Sequence, residues 1–173
     1  MPFFKIFIGC FLLLSTVNKG VAQEAAPPQY FAYIFLSEGC PMCQGYAATL
    51  NQLAENYKPK GVQFVGVFPN FYVTDSAILD FKKQYDIRFS LQRDGDFKLT
   101  NQFKATTTPQ VFLTDKNDKI IYNGMIDNAY FQRGKRRGIT SDFYLKNALE
   151  NALLGQNVVV AQTTAVGCVI VKD

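Results

Sequence analysis

Apolar and polar positions along the chain fall into two periods. Tyr30–Leu36 is a continuous apolar and aromatic run of strand length, and Val62–Phe68 is a second, closed by Pro69-Asn70. Both read as buried strands. Between them, Tyr46, Leu50, Leu53, Ala54 and Tyr57 recur at three- and four-residue steps. That stripe predicts a helix that opens at Cys40 and stops at Pro59 and Gly61. Thr74 or Asp75 is placed to cap a second helix, with Ile78, Phe81 and Tyr85 on its apolar face. Phe89–Gln92 reads as a short strand, Asp94-Gly95 as a turn and Phe97–Phe103 as a short helix. Val111–Thr114 and Ile120–Ile126 flank the polar turn Lys116-Asn117-Asp118-Lys119, which predicts a hairpin. Residues 128–140 read as a polar loop. Ser141 or Asp142 then caps a last helix with Leu145, Ala148, Leu149, Ala152 and Leu153 inward, ended by Gly155. Strands alternating with helices predict an α/β fold, and the hairpin makes its sheet mixed.

The 173 residues suit one domain, and a composition of 48% hydrophobic and 18% charged residues can bury a core. The net charge of +4 is modest, and Lys5 and Lys19 supply part of it, so nothing points to nucleic acid. Residues 1–22 read as a signal peptide. Lys5 precedes the apolar run Ile6–Val17, too short to span a bilayer comfortably, and Gly20-Val21-Ala22 offers small residues for cleavage before Gln23. The expected organisation is that leader, a short exposed stretch at 23–29, a domain over 30–155 and a tail over 156–173. The protein is then exported, with a periplasm as its expected compartment and no membrane span left after cleavage; an uncleaved leader that anchors it to the membrane is the alternative.

The chain holds four cysteines and no histidine. No Ser-His-Asp triad, Cys-His pair or imidazole-dependent zinc site can form. Removing the leader removes Cys10 and leaves Cys40, Cys43 and Cys168. Cys40-Pro41-Met42-Cys43 stands between a strand and a helix. Free N–H groups and the helix dipole stabilise an anion there, so a thiolate at Cys40 becomes nucleophilic near neutral pH. Pro41 suits a first helical turn because it has no N–H to leave unpaired. Cys40 would attack a partner's disulfide and Cys43 would resolve the mixed species, while Pro41 and Met42 help to set the potential. Two other readings of these thiols stay open: a short structural disulfide, and a soft-metal site in which Cys168 joins the pair to hold Cu(I).

These residues resemble the thioredoxin superfamily. The resemblance rests on the strand Tyr30–Leu36, on Cys40-Pro41-Met42-Cys43 opening a helix, and on Thr108-Pro109 ahead of Val111–Leu113 and a hairpin. It implies a three-layer sandwich with a central mixed sheet flanked by helices. It also implies a cis Pro109 beside the cysteine pair and substrate pairing with the backbone of Thr108. Within the superfamily the chain is similar to exported redoxin-domain proteins of the alkyl-hydroperoxide-reductase and thiol-specific-antioxidant type. Cys40-Pro41 with Tyr46, Gly124-Met125-Ile126-Asp127, Ala148-Leu149 with Leu154-Gly155, and Gly167-Cys168-Val169-Ile170 carry that similarity. Two departures stand out. Gly39 occupies the place of the usual tryptophan, and Pro41-Met42 replaces the usual Gly-Pro. The proline of the peroxiredoxin motif is Tyr33 here.

The expected activity is thiol-disulfide exchange with protein thiols or disulfides, with no organic cofactor and no metal. A membrane or soluble electron donor would complete the cycle. A thiol peroxidase using Cys40, and a redox-inactive binding module or Cu(I) carrier, are the alternatives. Cys168 is either a third thiol in exchange with Cys40 or Cys43, or a small apolar packing residue. Glu38, two residues before Cys40, is either a proton-transfer aid or a solvated loop acid. Asp127 is expected to be hydrogen-bonded and structural, and Arg133–Arg137 to be a solvated or partner-docking cluster.

Overall fold

A computed structural model describes residues 27–172. The expected leader, its cleavage before Gln23 and Cys10 lie outside the described residues.

The first two apolar runs form β1 (Tyr30–Phe35) and β2 (Val62–Phe68). They pair in parallel, Tyr30 opposite Val62 and Phe35 opposite Val67. The intervening stripe forms α1 (Pro41–Tyr57), which Pro59 and the left-handed Gly61 (φ 81°) bring to an end through a single 3-10 turn. α2 (Asp75–Gln84) is capped by Thr74 and not by Asp75: the Thr74 hydroxyl accepts the Ala77 N–H at 3.2 Å. Then come β3 (Ser90–Arg93), α3 (Lys98–Phe103), the two-residue β4 (Thr107–Thr108), β5 (Gln110–Asp115) and β6 (Ile120–Gly124). The main sheet has the order β3-β2-β1-β5-β6, parallel through its first three strands and antiparallel from β1 to β5 to β6. Mixed pairing follows from the connections: helices carry the chain across between parallel strands, and a tight turn returns it between β5 and β6.

Alternation along each strand sorts the core into two faces. Ala32, Ile34, Val62, Phe64, Val111 and Leu113 meet the buried stripes of α1 and α2 and of the last helix, α4 (Tyr144–Leu153). Phe35, Val65, Val67 and Phe112 face the other way and cover α3 through Phe103. The sandwich is three layers with unequal flanks.

Three regions differ from the pattern reading. Residues 128–140 are not all loop, for β7 (Tyr130–Gln132) and β8 (Lys135–Arg136) pair as a small hairpin turned by Gly134 (φ 73°). Neither Ser141 nor Asp142 caps α4. Both are tied to Asn128, whose Nδ2 donates to Ser141 Oγ at 2.8 Å and to the Asp142 carboxylate, so their oxygens are already engaged. The tail is ordered by pairing. It runs alongside β6, where the Asn123 N–H donates to Ala161 O and the Thr163 N–H donates to Asn123 O, both at 3.0 Å. It then crosses to form β9 (Cys168–Val169) against β4.

Candidate active site

The dithiol sits where β1 ends and α1 begins. Buried Ile34, Phe35 and Leu36 fix the end of β1, and the stripe Tyr46, Leu50, Ala54 and Tyr57 fixes α1. Cys40 is the N-cap of α1 with extended backbone (φ −91°, ψ 112°), and Pro41 takes the first turn. No side chain caps this helix, so its free N–H groups face the Cys40 sulfur. Cys40 and Cys43 are each 1% exposed, and the Ser37 N–H donates to Cys43 Sγ at 3.5 Å. Both are free thiols.

The two sulfurs are differentiated by their surroundings. The Cys43 thiol donates to Cys40, and the Cys168 thiol and the N–H groups of Cys43 and Met42 add to it. Together they outweigh burial and bring the Cys40 pKa down to about 5. Burial and the adjacent Cys40 sulfur push Cys43 well above the usual thiol range. One sulfur is thus a thiolate at neutral pH and the other a protonated thiol beside it, which is the division of labour that attack and resolution need.

The Thr108–Pro109 bond is cis, and it stands across from the dithiol. In its thiol form Cys40 donates to Thr108 O at 3.4 Å. The loop is drawn tight by Gln110, whose Oε1 accepts the N–H groups of Thr106 (2.9 Å) and Thr107 (3.2 Å). Gln110 carried no signal in the sequence beyond following a proline. Thr108 is buried, and its β4 backbone pairs not with a foreign segment but with the tail: Thr108 lies opposite Cys168 and Thr107 opposite Val169. The Cys168 thiol donates to Cys40 Sγ at 3.0 Å. The structure therefore brings Cys40, Cys43, Thr108, Pro109 and Cys168 together.

Glu38 and Asp127 take different places. Glu38 is half-buried, and its Oε2 is shielded without a hydrogen-bond partner, while its backbone carbonyl accepts Gln44 Nε2 at 2.9 Å. Asp127 is buried and accepts the Tyr46 hydroxyl at 2.6 Å and the Ala129 N–H at 2.8 Å. Those bonds tie α1 to the β7–β8 hairpin. Burial and Asp127 raise the Tyr46 phenol, which stays protonated and donates. Arg133, at the tip of that hairpin, places its guanidinium beside Cys168, where it opposes the upward push of burial and of Cys40 on that thiol. Of the basic cluster, only Arg133 is drawn into the site in this way, and the run of charges gave no means of singling it out. Met42 is buried in the core with α1.

A groove of about 340 Å³ borders the site, between Ser37, the exposed Phe71 and Tyr72, Phe97 and the tail at Cys168–Val171. Gly39, next to Cys40, is exposed, and a side chain there would meet nothing within 4 Å. A larger cavity, about 670 Å³, lies at the opposite end of the sheet near Gly61 and Val62 and has no part in this chemistry. No helix among the described residues is long and apolar enough to cross a membrane.

Comparison with known proteins agrees with this architecture. Thiol-disulfide oxidoreductase ResA of Bacillus cereus is 30% identical over 87 residues, 50% of this chain and 49% of that protein. The chain thus spans about half the length of the curated relatives it matches. An uncharacterized conserved protein from Geobacillus kaustophilus superposes with a TM-score of 0.74 at 24% identity, covering 86% of this chain and 80% of that one. The thioredoxin domain of a thiol-disulfide oxidoreductase from Bacteroides vulgatus superposes with a TM-score of 0.51 at 17% identity, covering 56% and 70%. The fold is therefore the thioredoxin-like α/β sandwich. The Redoxin profile matches residues 27–129, which include Cys40, Cys43, Thr108 and Pro109 but stop short of Arg133 and Cys168. A match of that extent, over more than half of the sequence, makes the chain a member of the Redoxin family.

Proposed function

We propose that the protein is a thiol-disulfide oxidoreductase that exchanges disulfides with protein partners through Cys40 and Cys43. The observation that carries this reading is the split of the two thiols, Cys40 held near pKa 5 at a helix N-cap and Cys43 buried and protonated beside it. In the reducing direction the Cys40 thiolate attacks a partner's disulfide. The Cys43 thiol then loses its proton and displaces the reduced partner, leaving Cys40–Cys43 oxidised. The partner's backbone pairs at Thr108 beside Pro109. The similarity to ResA supports the same chemistry over the half of the chain that aligns.

The protein works after export, with residues 1–22 as its signal peptide, and draws electrons from or delivers them to a membrane or soluble partner. No organic cofactor or metal takes part. Pro41 and Met42 set the potential between the cysteines. A value near roughly −270 mV makes the protein a reductant and one near roughly −120 mV an oxidant.

The test is insulin-disulfide reduction and peroxide consumption by the wild type and by Cys40→Ser. Insulin turnover that vanishes in the variant supports the reading. Peroxide turnover without insulin turnover replaces it with a thiol peroxidase, and neither activity, with no measurable potential, leaves a binding module.

A further inference from the structure

The groove in which a partner's backbone would pair is occupied by the chain itself. β9 lies antiparallel on β4 with Cys168 opposite Thr108, and the Ile170 N–H donates to Thr106 O at 2.9 Å just beyond. Gly167 makes that approach possible. A Cβ there would stand 2.1 Å from Thr108 O, so no larger residue fits without pushing the strand away. Upstream, Thr163 Oγ1 bridges the Tyr122 hydroxyl and the Met125 N–H, both at 2.8 Å, and Gly124 leaves room for it. These contacts set the register of the tail before it reaches the dithiol, and they bring Cys168 Sγ within 3.0 Å of Cys40 Sγ.

We propose that Cys168 is a third redox thiol: it exchanges with the Cys40–Cys43 disulfide to form Cys40–Cys168, held in place by a tail strand that stands in for a bound partner. The proposal rests on the reading of Cys40 and Cys43 as an exchanging pair. In the step, Cys168 Sγ, deprotonated, attacks Cys40 Sγ. The Cys40–Cys168 bond forms as the Cys40–Cys43 bond breaks, and the electron pair leaves on Cys43 Sγ, which takes up a proton for the one that Cys168 gave up. One disulfide replaces another, so no external oxidant or reductant is needed. Burial and the neighbouring Cys40 raise the Cys168 thiol above its ordinary range, and the guanidinium of Arg133 beside it partly offsets that rise. Exposure gives the exchange a consequence. Cys43 is 1% exposed, whereas Cys168 is only half-buried on a strand next to the exposed Val169. Exchange therefore moves one half of the disulfide from the core to a surface that a partner thiol can reach, and closes Thr108 to any other strand meanwhile.

The experiment equilibrates Cys43→Ser in glutathione redox buffer, quenches it with acid and maps its disulfides by mass. An intramolecular Cys40–Cys168 bond is expected to outcompete glutathione at about 1 mM, because a tethered thiol already exceeds that effective concentration. Adding Gly167→Val should lower its yield about tenfold by forcing β9 off Thr108. Recovery of Cys40 as a glutathione adduct with Cys168 free to alkylate overturns the proposal, and so does an undiminished yield with Gly167→Val. Cys43→Ala gives the same readout should serine disturb the buried site. The outcome is separable from the proposed activity. Insulin reduction by the wild type without a Cys40–Cys168 bond in the trap sinks this inference alone, whereas the bond without insulin reduction sinks exchange with protein partners and leaves exchange among the protein's own three thiols.

Discussion

Two segments deliver sulfur to the same point, and they are anchored in opposite ways. Cys40 stands at the junction of β1 and α1, with Ile34, Phe35, Leu36 and Leu50 all fully or almost fully buried around it. Cys168 arrives on a strand of two residues, flanked by the exposed Val169 and Val171 and held chiefly by backbone pairing and by Thr163. Hydrophobic burial makes the first segment part of the globally cooperative core. The second packs on the core only through the partly buried Val166, Cys168 and Ile170 and is expected to open at lower cost. On the proposed reading a nucleophile has to be held rigid, whereas a strand filling a partner's groove has to leave. The difference in anchoring matches the difference in task.

That contrast breaks first at Cys40. Cys40→Ser should take disulfide exchange to the uncatalysed background in an insulin assay while the fold persists, since serine nearly matches cysteine in size at this buried position. Next, Leu50→Ala should cost about 2–5 kcal/mol of stability, measured by denaturant unfolding, because it leaves a cavity under the helix that carries the dithiol. Thr163→Val should cost only about 1 kcal/mol, for it orphans the Met125 N–H while the Tyr122 hydroxyl keeps Met125 O at 2.6 Å. Amide exchange should then quicken at Thr107–Thr108 and Cys168–Val169 and stay unchanged in α1. Equal quickening in α1 would show that the tail is part of the core after all.

The smallest change in stability is expected for Cys168→Ala, within about 0.5–1 kcal/mol, yet its effect on ionisation is diagnostic. The variant removes a donor to the Cys40 thiolate, so the pH midpoint of Cys40 alkylation, expected at about 5 in the wild type, should rise. An unmoved midpoint would mean that Cys43 and the helix terminus do all of the work. Linkage gives the accompanying sign. Folded Cys40 ionises near 5 against an ordinary value of 9.0, so the reduced protein gains stability as pH rises through that window and loses it as pH falls back. Cys40→Ser should flatten that part of the profile relative to the wild type.

What could be read in the sequence follows the same division. β1, α1, β2 and the hairpin announce themselves because burial imposes a period, and Cys40-Pro41-Met42-Cys43 is meaningful because it falls at a strand-to-helix boundary. The tail has no period to read. Its position is decided by backbone pairing with β4 and β6 and by close approaches at Gly124 and Gly167, and a glycine in a sequence does not say which carbonyl it lies against. Arg133 is one of four cations within five residues, and only the β7–β8 hairpin selects it. Ser141 and Asp142 have the chemistry of helix caps, but Asn128 claims their oxygens. The fold and the dithiol were legible, and the third sulfur was legible only as an open choice.

The contact between Cys168 and Cys40 spans 128 residues. A chain emerging from its N-terminal side presents the dithiol long before the third sulfur exists outside the ribosome. During that interval the edge of β4 is uncovered, and a strand from another molecule meets no competitor there. Completion of the tail thus marks the end of a window in time, and a young molecule and a finished one differ in what they admit.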